Sequence, residues 1–393
     1  MMIATALAAG ACSDGGPIVV RTVYDRTGTP AAGVRVQVEE LPWATTGEDG
    51  TATFAPRARP FTVRVHQFYE WIRGDQASDY VYVLRGRTGN VLAEVEGTTK
   101  QPGWHEAQVQ GTVGGRLASS SSAAAVRLPY RINTIANGPG ADGAFDLRVE
   151  WQGKSSASIV LRAWEADTLP PEAPSRYYGF GSATVPVVEG GSVTGVSLSL
   201  APVTQGTVEG PVSLPPALLG TEVRAALWLV FAPYDWLYLA GLAAPGRVAA
   251  VVPSVAGAEA WIGVFQVDGT WHNRRVAVPS SGVVFDIPAR PELIEPADQS
   301  VLGDATVFRW SPPEAGGTST LSVRCDWVSF ASPAFRSINY SIEADGSETT
   351  LPAIPDVAIP PSATCRWTVQ WCAATDRALE ERCSGSLERH LTH

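Results

Sequence analysis

The sequence predicts an all-β chain of tandem antiparallel sandwiches, and three observations carry that expectation. Apolar residues recur with period two, as where Val34, Val36 and Val38 alternate with Arg35 and Gln37. Turn residues are dense, with 38 Gly and 30 Pro in 393 residues. A phrase also recurs at a domain-sized spacing: Gln110-Gly-Thr-Val-Gly-Gly115 returns as Gln205-Gly-Thr-Val-Glu-Gly210. A spacing that long marks repeated sandwiches and not a solenoid.

Composition bounds the function classes. Apolar residues make up 45% and charged residues 17%, which excludes a chain disordered throughout. Thirteen Trp supply large core anchors. A formal charge of −10 argues against nucleic acid and against an anionic membrane surface as partners. The length allows about two to four domains.

The stretch from Val23 to Phe54 sets the building plan. Gly28 and Pro30 form a turn, Val34 to Val38 a strand, Asp49-Gly50 a tight turn, and Ala52 and Phe54 resume the inward face. Phe61, Val63 and Val65 are the next alternating run. The residues Asp25, Gly28, Pro30, Gly33, Val34 and Val36, then Thr46, Asp49, Gly50 and Phe54, resemble the carboxypeptidase regulatory-like, transthyretin-like β-sandwich over residues 18–107. That resemblance implies a non-catalytic module and no activity.

Residues 1–17 read as an export signal and short linker. Small apolar residues run up to Cys12 and resemble a bacterial lipoprotein signal, in which Cys12 carries the lipid. The run departs from that pattern in lacking a basic start, in its short apolar region and in Ala9, where Leu is usual. An ordinary secretory signal, or a tail with an incidental Cys, is the alternative. Ser13 resembles an outer-membrane sorting residue.

Within the first domain, Tyr80 to Leu84 is a strand. Arg73-Gly74-Asp75 has an adhesive reading, against which stands a plain polar turn. Residues 108–204 form a second sandwich, with Phe145, Leu147, Val149 and Trp151 on one face and the low-complexity segment Arg116 to Val126 as a loop or linker. Residues 205–289 form a third. Its apolar run from Val223 to Ala240 approaches membrane-helix length, but Pro233 and Asp235 interrupt it, so a buried hairpin is expected. Residues 290–393 open with Pro291 to Ser300 and a strand ending in Trp310. They resemble a fibronectin type III-like sandwich, with Trp310, Trp327, Trp367 and Trp371 in its core.

Four cysteines fall in this last domain: Cys325, Cys365, Cys372 and Cys383. No C-x-x-C spacing is present, so no metal site is expected. Cys325 shares a strand face with Leu321 and Val323, and Cys365 with Trp367 and Val369, while Cys372 points the other way. Cys365 and Cys372 on one strand would lie about 23 Å apart, too far to bridge. The expected pairs are therefore Cys325–Cys365 and Cys372–Cys383, and such bonds agree with export.

Motifs for chemistry are missing. The five His (His66, His105, His272, His390 and His393) form no H-E-x-x-H, and there is no G-x-S-x-G, Walker loop or dinucleotide fingerprint. No catalytic residue and no cofactor is expected. Asn137, Asp142 and Asp146 have a calcium reading, weighed against ordinary turn chemistry. Exposed aromatics would serve a sugar, and Phe68, Tyr69, Trp71, Tyr234 and Trp236 are the candidates, with core packing as the alternative. The expectation is a non-catalytic cell-envelope protein, held to the membrane by a lipid anchor, with a protein or glycan partner and no nucleic acid. A carbohydrate-binding surface protein is the first alternative. A hydrolase without recognisable motifs, built on paired carboxylates, is the second.

Overall fold

The computed structural model describes residues 16–25, 28–70, 76–96, 104–116, 123–127, 143–169, 172–232, 235–243, 246–266, 270–303, 305–329, 335–344, 346–352, 354, 358–374 and 380–392. Among these, the regular structure is strand, apart from one 3-10 turn at Pro216–Leu218. The chain divides into two compact units. Unit 1 comprises Met1–Pro102, Pro288–Arg377 and Cys383–His393, and unit 2 comprises Gly103–Ile287 and Ala378–Arg382.

Unit 1 begins with β1 (Ile18–Tyr24), β2 (Arg35–Val38), β3 (Ala44–Thr45), β4 (Thr51–Phe54), β5 (Phe61–Glu70), β6 (Gln76–Arg87) and β7 (Val91–Val95). β1 pairs antiparallel with β4 and parallel with β7, and the facing strands run in the order β3-β2-β5-β6. Val20, Val36, Val38, Phe61, Val63 and Val65 fill the space between. The turn chemistry read in the sequence is in place. Gly50 has φ 72°, and a Cβ there would lie 2.4 Å from the Thr22 carbonyl oxygen. Asp49 Oδ1 accepts the Thr51 N–H at 3.0 Å. Behind the turn, buried Thr22 and Thr46 both donate to the Ala31 carbonyl, at 2.6 and 2.9 Å.

Unit 2 opens with β8 (Trp104–Gly114), β9 (Ala123–Arg127), β10 (Ala144–Gln152), β11 (Ser156–Ala166), β12 (Tyr177–Val188), β13 (Ser192–Ser199) and β14 (Ala201–Pro202). Two sheets, β10-β8-β13 and β14-β12-β11-β9, enclose Phe145, Leu147, Val149, Leu161, Ala163 and Leu198. A further set follows: β15 (Thr204–Ser213), β16 (Val223–Ala232), β17 (Asp235–Ala243), β18 (Arg247–Ser254), β19 (Glu259–Gln266), β20 (Trp271–Val276), β21 (Ser280–Ser281) and β22 (Phe285–Asp286). The apolar run from Val223 is the antiparallel pair β16–β17, as its interruption at Pro233 and Asp235 requires. No helix among the described residues is long and apolar enough to cross a membrane.

The remainder of the chain supplies β23 (Glu292–Glu295), β24 (Ser300–Val301), β25 (Val307–Ser311), β26 (Thr318–Val328), β27 (Phe335–Ala344), β28 (Glu348–Thr350), β29 (Thr364–Cys372), β30 (Glu380–Gly385) and β31 (Arg389–Thr392). β29, β26 and β27 are sheet neighbours, and β27 then pairs in parallel with β6, from Phe335↔Gln76 to Ile342↔Val83. The first and last sandwiches thus share one sheet. Val81 and Val83 of β6 enter the core of Phe308, Trp310, Val323 and Trp367, while Tyr82 enters the N-terminal core. Arg85 Nη2 donates to Thr349 Oγ1 at 2.8 Å, and Arg87 pairs with Glu343 along the same seam. Trp310, Trp367 and Trp371 are fully buried. Trp327 is not. It sits at the end of β26 and is only half-buried, because the core stops short of the strand's end.

Three sheets share one plan, in which a central strand has an antiparallel neighbour on one side and a parallel neighbour on the other. β8 has β10 and β13, and β15 has β18 and β21, as β1 has β4 and β7. The recurring Gln-Gly-Thr-Val phrase lies in β8 and β15. Its glycines are where the parallel neighbour comes close. A Cβ on Gly111 would meet the Val196 carbonyl oxygen at 2.0 Å, beside the irregularity between Val193 and Val196, and one on the matching Gly206 would meet Val278 Cγ1 at 2.9 Å and Pro279 Cβ at 3.0 Å. Gly114, on the same strand as Gly111, has nothing within 4 Å of such a Cβ. Gly111→Ala is therefore expected to cost about 3 kcal/mol in urea denaturation. Gly114→Ala should stay within about 0.5 kcal/mol of the parent.

Candidate binding surface

Several residues nominated from the sequence lie outside the described residues: Cys12, Trp71, Tyr234, the Arg73-Gly74-Asp75 tripeptide, Asn137 and Asp142. Phe68 is 53% exposed, but neighbouring Tyr69 is 3% exposed. Strand alternation sends the two rings to opposite faces, so they form no common platform, and Tyr69 is corrected to a core residue. Trp236 is half-buried and packs on Trp261, with ring centroids 5.9 Å apart. Asp146 accepts from Gln110 at 3.0 Å and also pairs with Gln108. Cys325 is joined to Cys365 and Cys372 to Cys383. Each pair sits directly opposite across neighbouring strands, β26 with β29 and β29 with β30, with Cα atoms 4.0 and 4.1 Å apart.

Polar clusters are built into the interior among the described residues, three of them as follows. In unit 1, Asp79 is 2% exposed. Its Oδ1 lies 2.8 Å from His66 Nε2, and its Oδ2 accepts from Arg336 at 3.3 Å. Ser78 and Ser337 are neighbours in sequence of this cluster but occupy the opposite sheet face. In unit 2, Arg162 donates to both oxygens of Asp235 at 2.5 and 2.6 Å, with its guanidinium 3.7 Å from the Phe231 ring centroid. This bidentate, stacked geometry suits Arg and not Lys. Also in unit 2, His272 Nδ1 accepts the Asp286 N–H at 2.8 Å, and its Nε2 faces Glu380 at 2.5 Å. Burial holds the His272 pKa below the ordinary 6.5; Glu380 pulls the other way, and Arg382 and Arg274 add to the lowering. The hydrogen bond gives the same direction, because a protonated Nδ1 could not accept from Asp286.

A concavity that gathers polar and aromatic side chains lies on the outer face of β29-β26-β27-β6, in unit 1, with a volume of about 470 Å³. Strand register writes its floor as rows. At one end Phe335 stands beside Val328 and Gln76. The next row sets Asp326 between Thr364 and Ser337, with Ser78 beyond. The row after sets Arg324 beside Asn339, with Tyr80 beyond. Ser78 and Ser337 hydroxyls are 2.8 Å apart, and Arg324 Nε donates to both Asp326 oxygens at 2.9 and 3.0 Å. Phe335 and Val328 are 55% and 60% exposed. Burial, and then Glu96, push the Tyr80 pKa up, so its hydroxyl stays neutral and can both donate and accept. None of these residues was nominated from the sequence. The polar alternation of Ser337, Asn339 and Ser341 was the available signal, but it does not reveal which distant strand completes the floor.

Comparison with family models finds no match, and comparison with curated proteins finds none either. Among solved structures, the chain is similar to a leucine-rich repeat protein from Bacteroides thetaiotaomicron, at 13% identity and TM-score 0.19, covering 48% of this chain and 26% of that one. It is similar to the Bacillus anthracis TIE protein at 9% identity and TM-score 0.17, covering 70% and 50%. It is also similar to a streptococcal ancillary pilin at 9% identity and TM-score 0.15, covering 70% and 100%. The chain thus spans about a quarter of the first protein and half of the second. Likenesses at these scores carry nothing about function.

The His272 geometry generates a pH dependence. The unfolded chain binds this proton with ordinary affinity and the folded chain binds it more weakly. Protonation therefore favours unfolding, and the contribution is lost as pH falls below about 6.5 through the lowered folded pKa. In His272→Asn, the side-chain oxygen still accepts from Asp286 and does not titrate. Chemical denaturation at pH 7 and pH 5 should show the parent losing more stability than this variant. Equal losses would contradict the assignment.

Proposed function

We propose that the chain is an exported, non-catalytic structural or interaction protein of the bacterial cell envelope. In this reading a lipid on Cys12 holds it to the outer membrane or cell surface, and its sandwiches engage a protein or glycan partner. The observation that carries the reading is the pair of disulfides. Cys325, Cys365 and Cys383 are wholly buried, and structural disulfides of this kind persist in oxidising compartments. The buried polar clusters add support. His66, Asp79, Arg162 and Asp235 are spent on one another within the interior, which is how such groups behave when they hold elements together. Residues 18–107 are read as a carboxypeptidase regulatory-like sandwich and residues 290–393 as a fibronectin type III-like one. Both are modules that display or engage partners without chemistry of their own.

Intact mass and membrane partition after expression in a Gram-negative host test this reading. The expected product starts at Cys12, is heavier by a diacylglycerol and an acyl chain, and follows the membrane fraction. Cys12→Ala should be unmodified and soluble. An unmodified parent chain in the soluble fraction would remove the anchor and leave a secreted or periplasmic protein.

A further inference from the structure

The outer face of β29-β26-β27-β6 is unlike an ordinary solvated sheet face in three respects. It is concave, it carries exposed apolar groups at one end, and its polar side chains form a dense mixture of donors and acceptors. The chemistry narrows what fits. Every strand of the floor is paired on both sides, β26 by β29 and β27, and β27 by β26 and β6. An extended peptide therefore finds no open backbone edge there, and recognition falls to side chains alone. The two guanidinium groups lining the groove already have carboxylates, Arg324 with Asp326 and Arg336 with Asp79. Their charge is matched, which disfavours an anion or a nucleic acid as the occupant. A purely apolar ligand would bury Asp326, Asn339 and the hydroxyls without partners, at a cost for each.

A neutral polyhydroxylated ligand meets these conditions. Its ring C–H faces are apolar and its rim hydroxyls both donate and accept. Adjacent strands place side chains about 4.8 Å apart, and successive rows of one strand lie about 6.6 Å apart. That grid is on the scale of sugar rings and their hydroxyls. We propose that this groove binds a neutral oligosaccharide. A sugar ring stacks on Phe335 beside Val328, and Asp326, Asn339, Ser78, Ser337 and Tyr80 hydrogen-bond its hydroxyls. Asp326 accepts from a pair of hydroxyls, the Asn339 amide donates and accepts, and neutral Tyr80 does both. The assignment deepens the interaction role proposed above and rests on it. It also moves the sugar platform away from Phe68, which alternation places on the opposite face of the sheet.

The test titrates the purified full chain calorimetrically with cellohexaose, xylohexaose, mannohexaose and chitohexaose, and with hexagalacturonate as the anionic probe, each up to about 5 mM. At least one neutral probe should bind within that range, with little dependence on salt, and hexagalacturonate should bind no more tightly. Phe335→Ala and Asp326→Asn should each weaken binding about ten-fold. Phe68→Ala should leave it unchanged. All three sites reach the surface, and thermal melting verifies that each variant is folded. The proposal is overturned if no neutral probe binds, if hexagalacturonate alone binds, or if Phe335→Ala and Asp326→Asn bind as the parent does. A lipidated, membrane-held chain that binds none of the sugars would refute the groove and leave the envelope role standing. A soluble, unmodified chain that binds one would do the reverse.

Discussion

Unit 1 depends on the parallel pairing of β6 with β27. Ser78 and Ser337, hydrogen-bonded across this seam, are 259 residues apart in sequence. The pairing gives β6 two jobs. Val81 and Val83 close the core of the C-terminal sandwich, while Tyr82 helps to close the N-terminal one. It also buries Asp79, whose carboxylate then has to be matched by His66 and Arg336. The groove is a further consequence, since β29, β26 and β27 supply most of its floor and β6 supplies Gln76, Ala77, Ser78 and Tyr80. Without the seam the edge of β27 would be open, and the floor would lose one side.

A second constraint is the close approach of parallel neighbours to the central strands β8 and β15. Carbonyl oxygens of Val196 and Val283 occupy the space where Gly111 and Gly210 would carry a Cβ. Gly210 lies outside the Gln-Gly-Thr-Val repeat, and at Gly206, which matches Gly111, the near atoms belong to Val278 and Pro279, so the repeat marks a close approach made by different atoms. β1 has the same pair of neighbours without the phrase, so the strand plan can be reached with other sequences. The glycine is needed only where the neighbouring backbone is this near.

The all-β fold was legible because it is written locally. Alternating valines, the Asp49-Gly50 turn and the break at Pro233 each act within a few residues, and the structure follows them. The disulfides were legible for the same reason, since alternation fixes which strand face a cysteine occupies. What was not legible depends on which distant strands become neighbours. The run from Tyr80 to Leu84 is apolar at nearly every position, the mark of a strand buried on both faces. It reads as a strand but does not identify β27 as its partner. Tyr69 looked like part of a ligand platform by residue type, yet it is buried. The groove residues are ordinary Ser, Asn, Asp and Tyr, and only the register across four strands brings them together.

The seam can be tested by a disulfide placed across it. Ser78→Cys and Ser337→Cys, introduced together, put thiols where the two hydroxyls now lie 2.8 Å apart. After mild oxidation, peptide mapping should recover a new bond between positions 78 and 337 alongside Cys325–Cys365 and Cys372–Cys383, with thermal stability at least that of the parent. If both new thiols stay unbonded in a folded chain, or bond elsewhere, then β6 and β27 are not neighbours. The shared sheet, the buried Asp79 cluster and the groove would then all be contradicted.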